Sequence, residues 1–230
     1  AAYLGVNGLF SDILGMLNLA ELGIGSAMIF SMYKPAAEDN REELGRLMNL
    51  YRMLYRIVAA FVLVVGLALL PFLDVLIKGD SGIENLRIIY LVYLGNSVCS
   101  YLLSYKNSIL LAYQKAYVKT VIEQLLRTMQ MILQIVVLAL TGNFLLYLAL
   151  QIGTLMMTNA VVAFKVDRDY PYLRDEKRLP DKEKRKDILK NIMAMGMHRF
   201  GSVIVSGTDN LIMSAFVGLT SVGIYSNYRL

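Results

Sequence analysis

TMQMILQIVVLALTGNFLLYLALQIGTLMMTNAVVAF, residues 128–164, contains no Asp, Glu, Lys or Arg. At 1.5 Å per residue, one helix of this length would outrun a hydrocarbon core about 30 Å thick. The run must therefore turn, and Thr141-Gly142-Asn143 supplies the chemistry for it. The stretch reads as two crossings, 121–140 and 144–164, joined as a tight helical hairpin.

Working outward, four more apolar stretches reach the roughly 20 residues that a crossing needs: 4–33, 54–77, 86–111 and 188–217. The sequence thus predicts an all-α integral membrane protein with six transmembrane helices. The stretch at 54–77 is the cleanest, with Pro71 expected to kink its end. Only 18% of residues are charged, against about 25% in soluble domains. The single Cys99 excludes an internal disulfide and a cysteine-based zinc site, and the single His198 leaves no His pair for a metal. No cofactor is expected. The chain opens AAYLG, with neither an initiator Met nor a signal peptide, and stops at SNYRL directly after an apolar segment. It is expected to be a piece of a longer protein.

Loop charges set the expected orientation. Lys34, Arg41, Arg46, Arg52 and Arg56 follow the first crossing. Lys106, Lys115 and Lys119 follow the third, and a run of ten Lys and Arg from Lys165 to Lys190 follows the fifth. The second loop has only Lys78 and Arg87, and the fourth has no charge. Loops near 34–53, 112–120 and 165–187 are therefore expected in the cytoplasm, which puts the start of the first helix outside and implies a crossing upstream. The segment KVDRDYPYLRDEKRLPDKEKRKD, residues 165–187, reads as a boundary, with a helix starting at Asp181, a good N-cap. A basic run can bind nucleic acid, but the positive-inside bias beside anionic lipid accounts for this one. Membrane lipids, and no nucleic acid, are the expected partners.

Polar residues recur on single faces of five crossings at about 100° per residue. The first carries Asn7, Ser11, Asn18 and Glu21. The third carries Tyr93, Asn96, Ser100 and Asn107, and the fourth Glu123, Arg127, Gln130 and Gln134. The fifth carries Tyr147, Gln151, Thr154 and Thr158, and the sixth Arg199, Ser202, Ser206 and Asn210 with Asp209 at the edge. Only 54–77 lacks such a face. Small and polar residues also serve to pack helices together. Ionisable residues in the bilayer, however, usually face a bundle interior or a wet cavity, and five seams point to a cavity. Arg199 and Arg127 fall in its inner half, where a guanidinium suits phosphate, although Arg127 could instead snorkel to the surface. Glu21 and Asp209 can bind a proton or Na⁺, or pair with an arginine. His198 can titrate near neutrality, but beside an Arg it reads more simply as a packed or interfacial residue.

The segment TDNLIMS, residues 208–214, followed by GLTSVGIYSNY, residues 218–228, resembles the seventh helix and following turn of polysaccharide flippases. These belong to the multidrug/oligosaccharidyl-lipid/polysaccharide exporter superfamily. LAELGIG, residues 19–25, with Tyr33-Lys34-Pro35, resembles the family's second helix and its cytoplasmic exit. The resemblance covers the chain as helices two to seven. It implies most of one lobe of a two-lobed exporter (1–166), a basic cytoplasmic inter-lobe linker (167–187), and the first helix of the second lobe with its turn (188–230).

The resemblance further implies a multi-pass transporter of the bacterial plasma membrane that passes undecaprenyl-pyrophosphate-linked oligosaccharide outward by alternating access for cell-envelope polysaccharide biosynthesis. A polysaccharide polymerase and other envelope-assembly proteins would be partners. Arg199 and Arg127 would hold pyrophosphate, with Asn210, Gln134, Asn18, Asn96 and Gln151 completing the substrate cavity. Glu21 and Asp209 would serve ion coupling, to protons or Na⁺, or charge pairing. The nearest alternative is a cation-coupled multidrug exporter of the same superfamily, since the two arginines balance the two carboxylates. A membrane-embedded glycosyl or acyl transferase would need a positioned acid/base or metal-binding set, and no such cluster is visible. The chain is not expected to be an enzyme.

Overall fold

The computed structural model describes Glu21, residues 23–72 and residues 86–216, with backbone alone at 72, 86, 144, 175, 199, 200 and 202–216. Every regular element among the described residues is helical: α1 (Ile24–Ala37), α2 (Arg41–Leu69), α3 (Leu86–Ser104), α4 (Asn107–Ala112), α5 (Ala116–Thr141), α6 (Phe144–Asp169), α7 (Tyr172–Asp175) and α8 (Lys182–Phe216). Three helices among the described residues are long and apolar enough to cross a membrane: Arg41–Leu69, Ala116–Thr141 and Leu145–Asp169. They mark the chain as a membrane protein.

The quoted hairpin forms where the sequence places it. Gly142 adopts φ 61, a left-handed conformation that costs glycine nothing, and donates its N–H to the Leu138 carbonyl to end α5. Asn143 starts α6, its side-chain oxygen accepting from the N–H groups of Leu145 and Leu146. The other expected crossings have a different outline. Residues before Glu21 lie outside the described ones. The stretch 86–111 is divided by a turn at Tyr105-Lys106. Positions 188–216 form the continuation of a helix that already begins at Lys182, with Arg185 N–H donating to the Asp181 carbonyl at 2.9 Å. α2 likewise begins well before its apolar portion. Asn40 caps it by accepting from Glu43 N–H, and Glu42 and Glu43 oppose the positive end of the helix dipole. At its far end Pro71 sits in a 3₁₀ turn over Leu70–Phe72.

The core lies where α2 meets α1 and α3, and where α3 meets α6. Met28 and Met32 of α1, Leu44, Leu47 and Val62 of α2, and Tyr90 of α3 are inaccessible to solvent. Tyr90 keeps its hydroxyl satisfied by donating to the Gly66 carbonyl at 2.8 Å, as a phenol buried among apolar groups requires. α5 is different in kind. It packs on α6 and leaves Leu125, Ile132, Ile135 and Leu140 exposed, and Gln134 alone among its described residues is buried. In water such a face would be a large unfavourable apolar patch. Against acyl chains it is the expected one.

The turn at Tyr105-Lys106 has a function in the fold. Lys106 Nζ donates to both oxygens of Asp167 at 2.7 Å, and Arg174 donates to Asp167 Oδ2 at 2.7 Å. Asp167 lies beyond the apolar part of α6, which ends at Phe164. Burial pushes its carboxyl up, but the hydrogen bonds from Arg174 and Lys106 outweigh this and hold it below the usual carboxylate value. A depressed folded-state value stabilises the fold above the ordinary carboxylate range, and this stability is lost as pH falls through the folded value. Asp167→Asn is therefore expected to cost about 1–3 kcal/mol near neutrality by leaving Lys106, only 17% exposed, poorly paired. The gap in unfolding temperature between wild type and variant, followed in detergent by circular dichroism, should close below about pH 4. A gap that is constant with pH would show that the ion pair contributes nothing.

Candidate functional site

A cavity of about 510 Å³ opens between the start of α1 and helices α2 to α5. It lies at the end of the bundle that carries the basic loops, beside the α2 residues that precede the apolar portion. Glu21 and Ser26 approach from the first segment, Tyr51 and Tyr55 from α2, Ser104 from α3, Asn107 from α4 and Lys119 from α5. The walls are therefore mostly hydroxyls and an amide, with one carboxylate and one ammonium.

Glu21 is the centre of a hydrogen-bond chain. Tyr51 donates to the Tyr55 hydroxyl at 3.0 Å, and Tyr55 donates to Glu21 Oε1. Tyr101 of α3 lines the same cavity beside Tyr55. The rings support one another edge-on, with centroids 4.5 Å apart for Tyr51 and Tyr55 and 5.6 Å for Tyr55 and Tyr101. Tyr51 and Tyr55 stand one turn apart on α2, so both rings emerge on the face toward α1 and α3. Two further serines of the wall spend their own protons locally: Ser100 donates to the Ser97 carbonyl and Ser108 to the Tyr105 carbonyl. Their free lone pairs remain as acceptors.

α8 meets this region through glycine. Gly23 has φ +86, and a side chain there would come within 2.5 Å of the Gly196 backbone. The crossing thus requires a left-handed, side-chain-free residue immediately after the Glu21 segment. Arg199 follows Gly196 by three residues, so its backbone stands about 4.5 Å farther along the axis of α8. The side chains of Arg199, Asp209 and Asn210 lie outside the described ones, and so does Asn18.

The remaining candidate residues stand at other contacts. Gln134 is 6% exposed and donates to the Tyr147 carbonyl at 3.1 Å, while Gln130 donates to Gln134. Both lie between α5 and α6. Asn96 and Gln151 face each other across α3 and α6 beside Val92 and Leu148. The Asn96 Oδ1 atom is buried there without a hydrogen-bond partner among the described residues. Arg127 is exposed on α5. It follows Glu123 on the same face, and Glu123 pairs with Lys119 at 3.6 Å. The α5 face that begins at the cavity rim therefore continues through Glu123 to Arg127. The tyrosines are the residues that the sequence pattern overlooked, because a Tyr in an apolar helix counts equally well as core. A clue was present in the i, i+4 pair Tyr51 and Tyr55 at the start of the otherwise stripe-free crossing.

Comparison with protein-family profiles, with curated proteins and with solved structures returns no match to this chain.

The hydrogen-bond chain makes a directional prediction. Tyr55→Phe removes the donor to Glu21 and the acceptor for Tyr51 together, and should destabilise the protein by about 1–3 kcal/mol. Tyr51→Phe removes only the outer member and should cost less. Thermal unfolding of the two variants in detergent checks the order. Equal losses would contradict the chain as described.

Proposed function

We propose that this chain is part of a multi-pass membrane transporter that carries a lipid-linked oligosaccharide outward across the bacterial plasma membrane. The observation that carries this reading is the 510 Å³ cavity lined by hydroxyl and amide groups in a bundle whose α5 side is apolar. Sugar hydroxyls exchange hydrogen bonds with water for bonds to Tyr, Ser and Asn at little net cost. The polyprenyl tail need not enter, because the surroundings of the bundle offer it lipid. Six crossings, with the basic loops cytoplasmic, would open the cavity toward the side where such intermediates are assembled. Arg199 would meet the pyrophosphate with bidentate, charge-assisted bonds, and Arg127 would extend the same basic path along α5. Movement of one lobe against the other about the segment before α8 would then exchange access between the two sides.

A second reading, a cation-coupled exporter of the same superfamily, is favoured by one feature: the carboxylate in the cavity is surrounded by tyrosine hydroxyls, as suits a cation or a proton. Under that reading Glu21 carries the coupling and the substrate is itself cationic.

The two readings separate in cells. In the full-length protein, Arg199→Ala should abolish complementation of a flippase-deficient strain, measured as surface polysaccharide at matched expression. Normal polysaccharide from that variant would contradict the proposed role. If Glu21→Gln removed drug resistance and polysaccharide stayed intact in both variants, the exporter reading would replace it.

A further inference from the structure

On the side of α2 turned away from the cavity, the segment between α7 and α8 is bound to the helix. Asn49 Nδ2 donates to the Glu176 carbonyl at 2.6 Å and to the Arg178 carbonyl at 3.3 Å. Glu176 in turn accepts from the Arg178 N–H at 2.7 Å. This strap brings Lys177 and Leu179 beside Arg52, Met53, Arg56 and Ile57 around a groove of about 400 Å³.

The groove has two chemically distinct ends. Arg52, Arg56 and Lys177 are exposed, and none forms an ion pair among the described residues. The cations just behind them, Lys106 and Arg174, already share Asp167, and the nearby Glu176 carboxylate is engaged by the Arg178 N–H, so three cations stand against one hydrogen-bonded carboxylate. From this cluster an apolar strip leads along the outer face of α2 through Met53, Ile57, Phe61 and Val64, each well exposed. Arg56 and Val64 are eight residues apart, about 12 Å along the axis. A ligand that satisfies both ends carries a negative head at the Arg/Lys cluster and a hydrocarbon chain on the helix face. An uncharged lipid leaves the cations unanswered, and a soluble anion leaves the strip bare.

We propose that this groove is a binding site for an anionic diacyl phospholipid, with the phosphate between Arg52, Arg56 and Lys177 and an acyl chain along Met53 to Val64. The site is separate from the cavity, since Tyr51 and Tyr55 point from the opposite face of the same helix, and it does not depend on what the cavity transports. Asn49 is a positioning residue, because it holds Lys177 over the groove. Arginine serves better here than an isolated lysine because its planar fork takes a phosphate through two parallel bonds.

The full chain in detergent, titrated with phosphatidylglycerol or phosphatidylcholine and read by native mass spectrometry, tests the site. Wild type should retain phosphatidylglycerol over phosphatidylcholine by roughly tenfold or more, given about 1 kcal/mol for each cation near an anionic headgroup. The R52Q/R56Q/K177Q variant should lose the preference, and R52K/R56K should keep most of it. K182Q/K186Q/K190Q removes the same charge from the exposed start of α8 and should leave the preference intact. Three results would overturn the proposal: no preference in wild type, a preference surviving in R52Q/R56Q/K177Q, or equal loss in the α8 variant. Displacement of the lipid by glycerol 3-phosphate or by a polyprenyl phosphate as readily as by phosphatidylglycerol would overturn the choice of a diacyl lipid.

Discussion

A carboxylate among apolar helices is costly to desolvate, and Glu21 is tolerated because tyrosine hydroxyls solvate it. Tyr55 donates to it, Tyr51 supports Tyr55 from one turn earlier, and Tyr101 packs edge-on against Tyr55 from α3. This arrangement binds the first segment to α2 and α3 at one point and keeps the surrounding serines and Asn107 around open space. The Gly23–Gly196 contact adds α8 to the same level of the bundle. Cavity and fold thus depend on one requirement, that a partly buried carboxylate must find hydrogen bonds.

Around that point the helices divide by what they face. α2, α3 and α6 bury side chains against each other, whereas α5 hangs on α6 and offers nearly all its apolar surface outward. Two polar seams close helix contacts: Gln134 bonds the α6 backbone, and Asn96 stands opposite Gln151. The third seam, from Glu21 through Ser104 and Asn107, bounds the cavity. At the basic end, Asp167 gathers Lys106 and Arg174 while Asn49 binds the strap, so the charged segment before α8 is attached to the bundle at several points. A hinge in this region would have to lie at the Pro180–Asp181 approach to α8 rather than along the whole charged stretch.

Much of this was readable in the sequence where local chemistry decides the outcome. Gly142 and Asn143 could only turn the chain, Asp181 opened α8, and the uncharged run required a hairpin. The site was readable in part. Glu21 stood out because charge in an apolar run needs a reason. Tyr51, Tyr55 and Tyr101 did not, since their rings fit an apolar face and their hydroxyls matter only once a neighbouring helix brings the carboxylate. Periodicity places Gln134, Asn96 and Asn107 on polar faces alike, because glue and cavity leave the same trace on a single helix. Only the pairing of helices separates them. The contact of Asn49 with a strap more than a hundred residues later is long-range in the same way.

The central claim is that hydroxyl and carboxylate groups enclose water at the basic end of an otherwise lipid-facing bundle. Single cysteines at Ser104 and Leu125, each in a Cys99→Ser background, treated in sealed membrane vesicles of both orientations with a membrane-impermeant maleimide, test it directly. The account predicts fast labelling at 104 from the face bearing the basic loops and none at 125. Protection of position 104 from both faces, or labelling of it only from the opposite one, would contradict it.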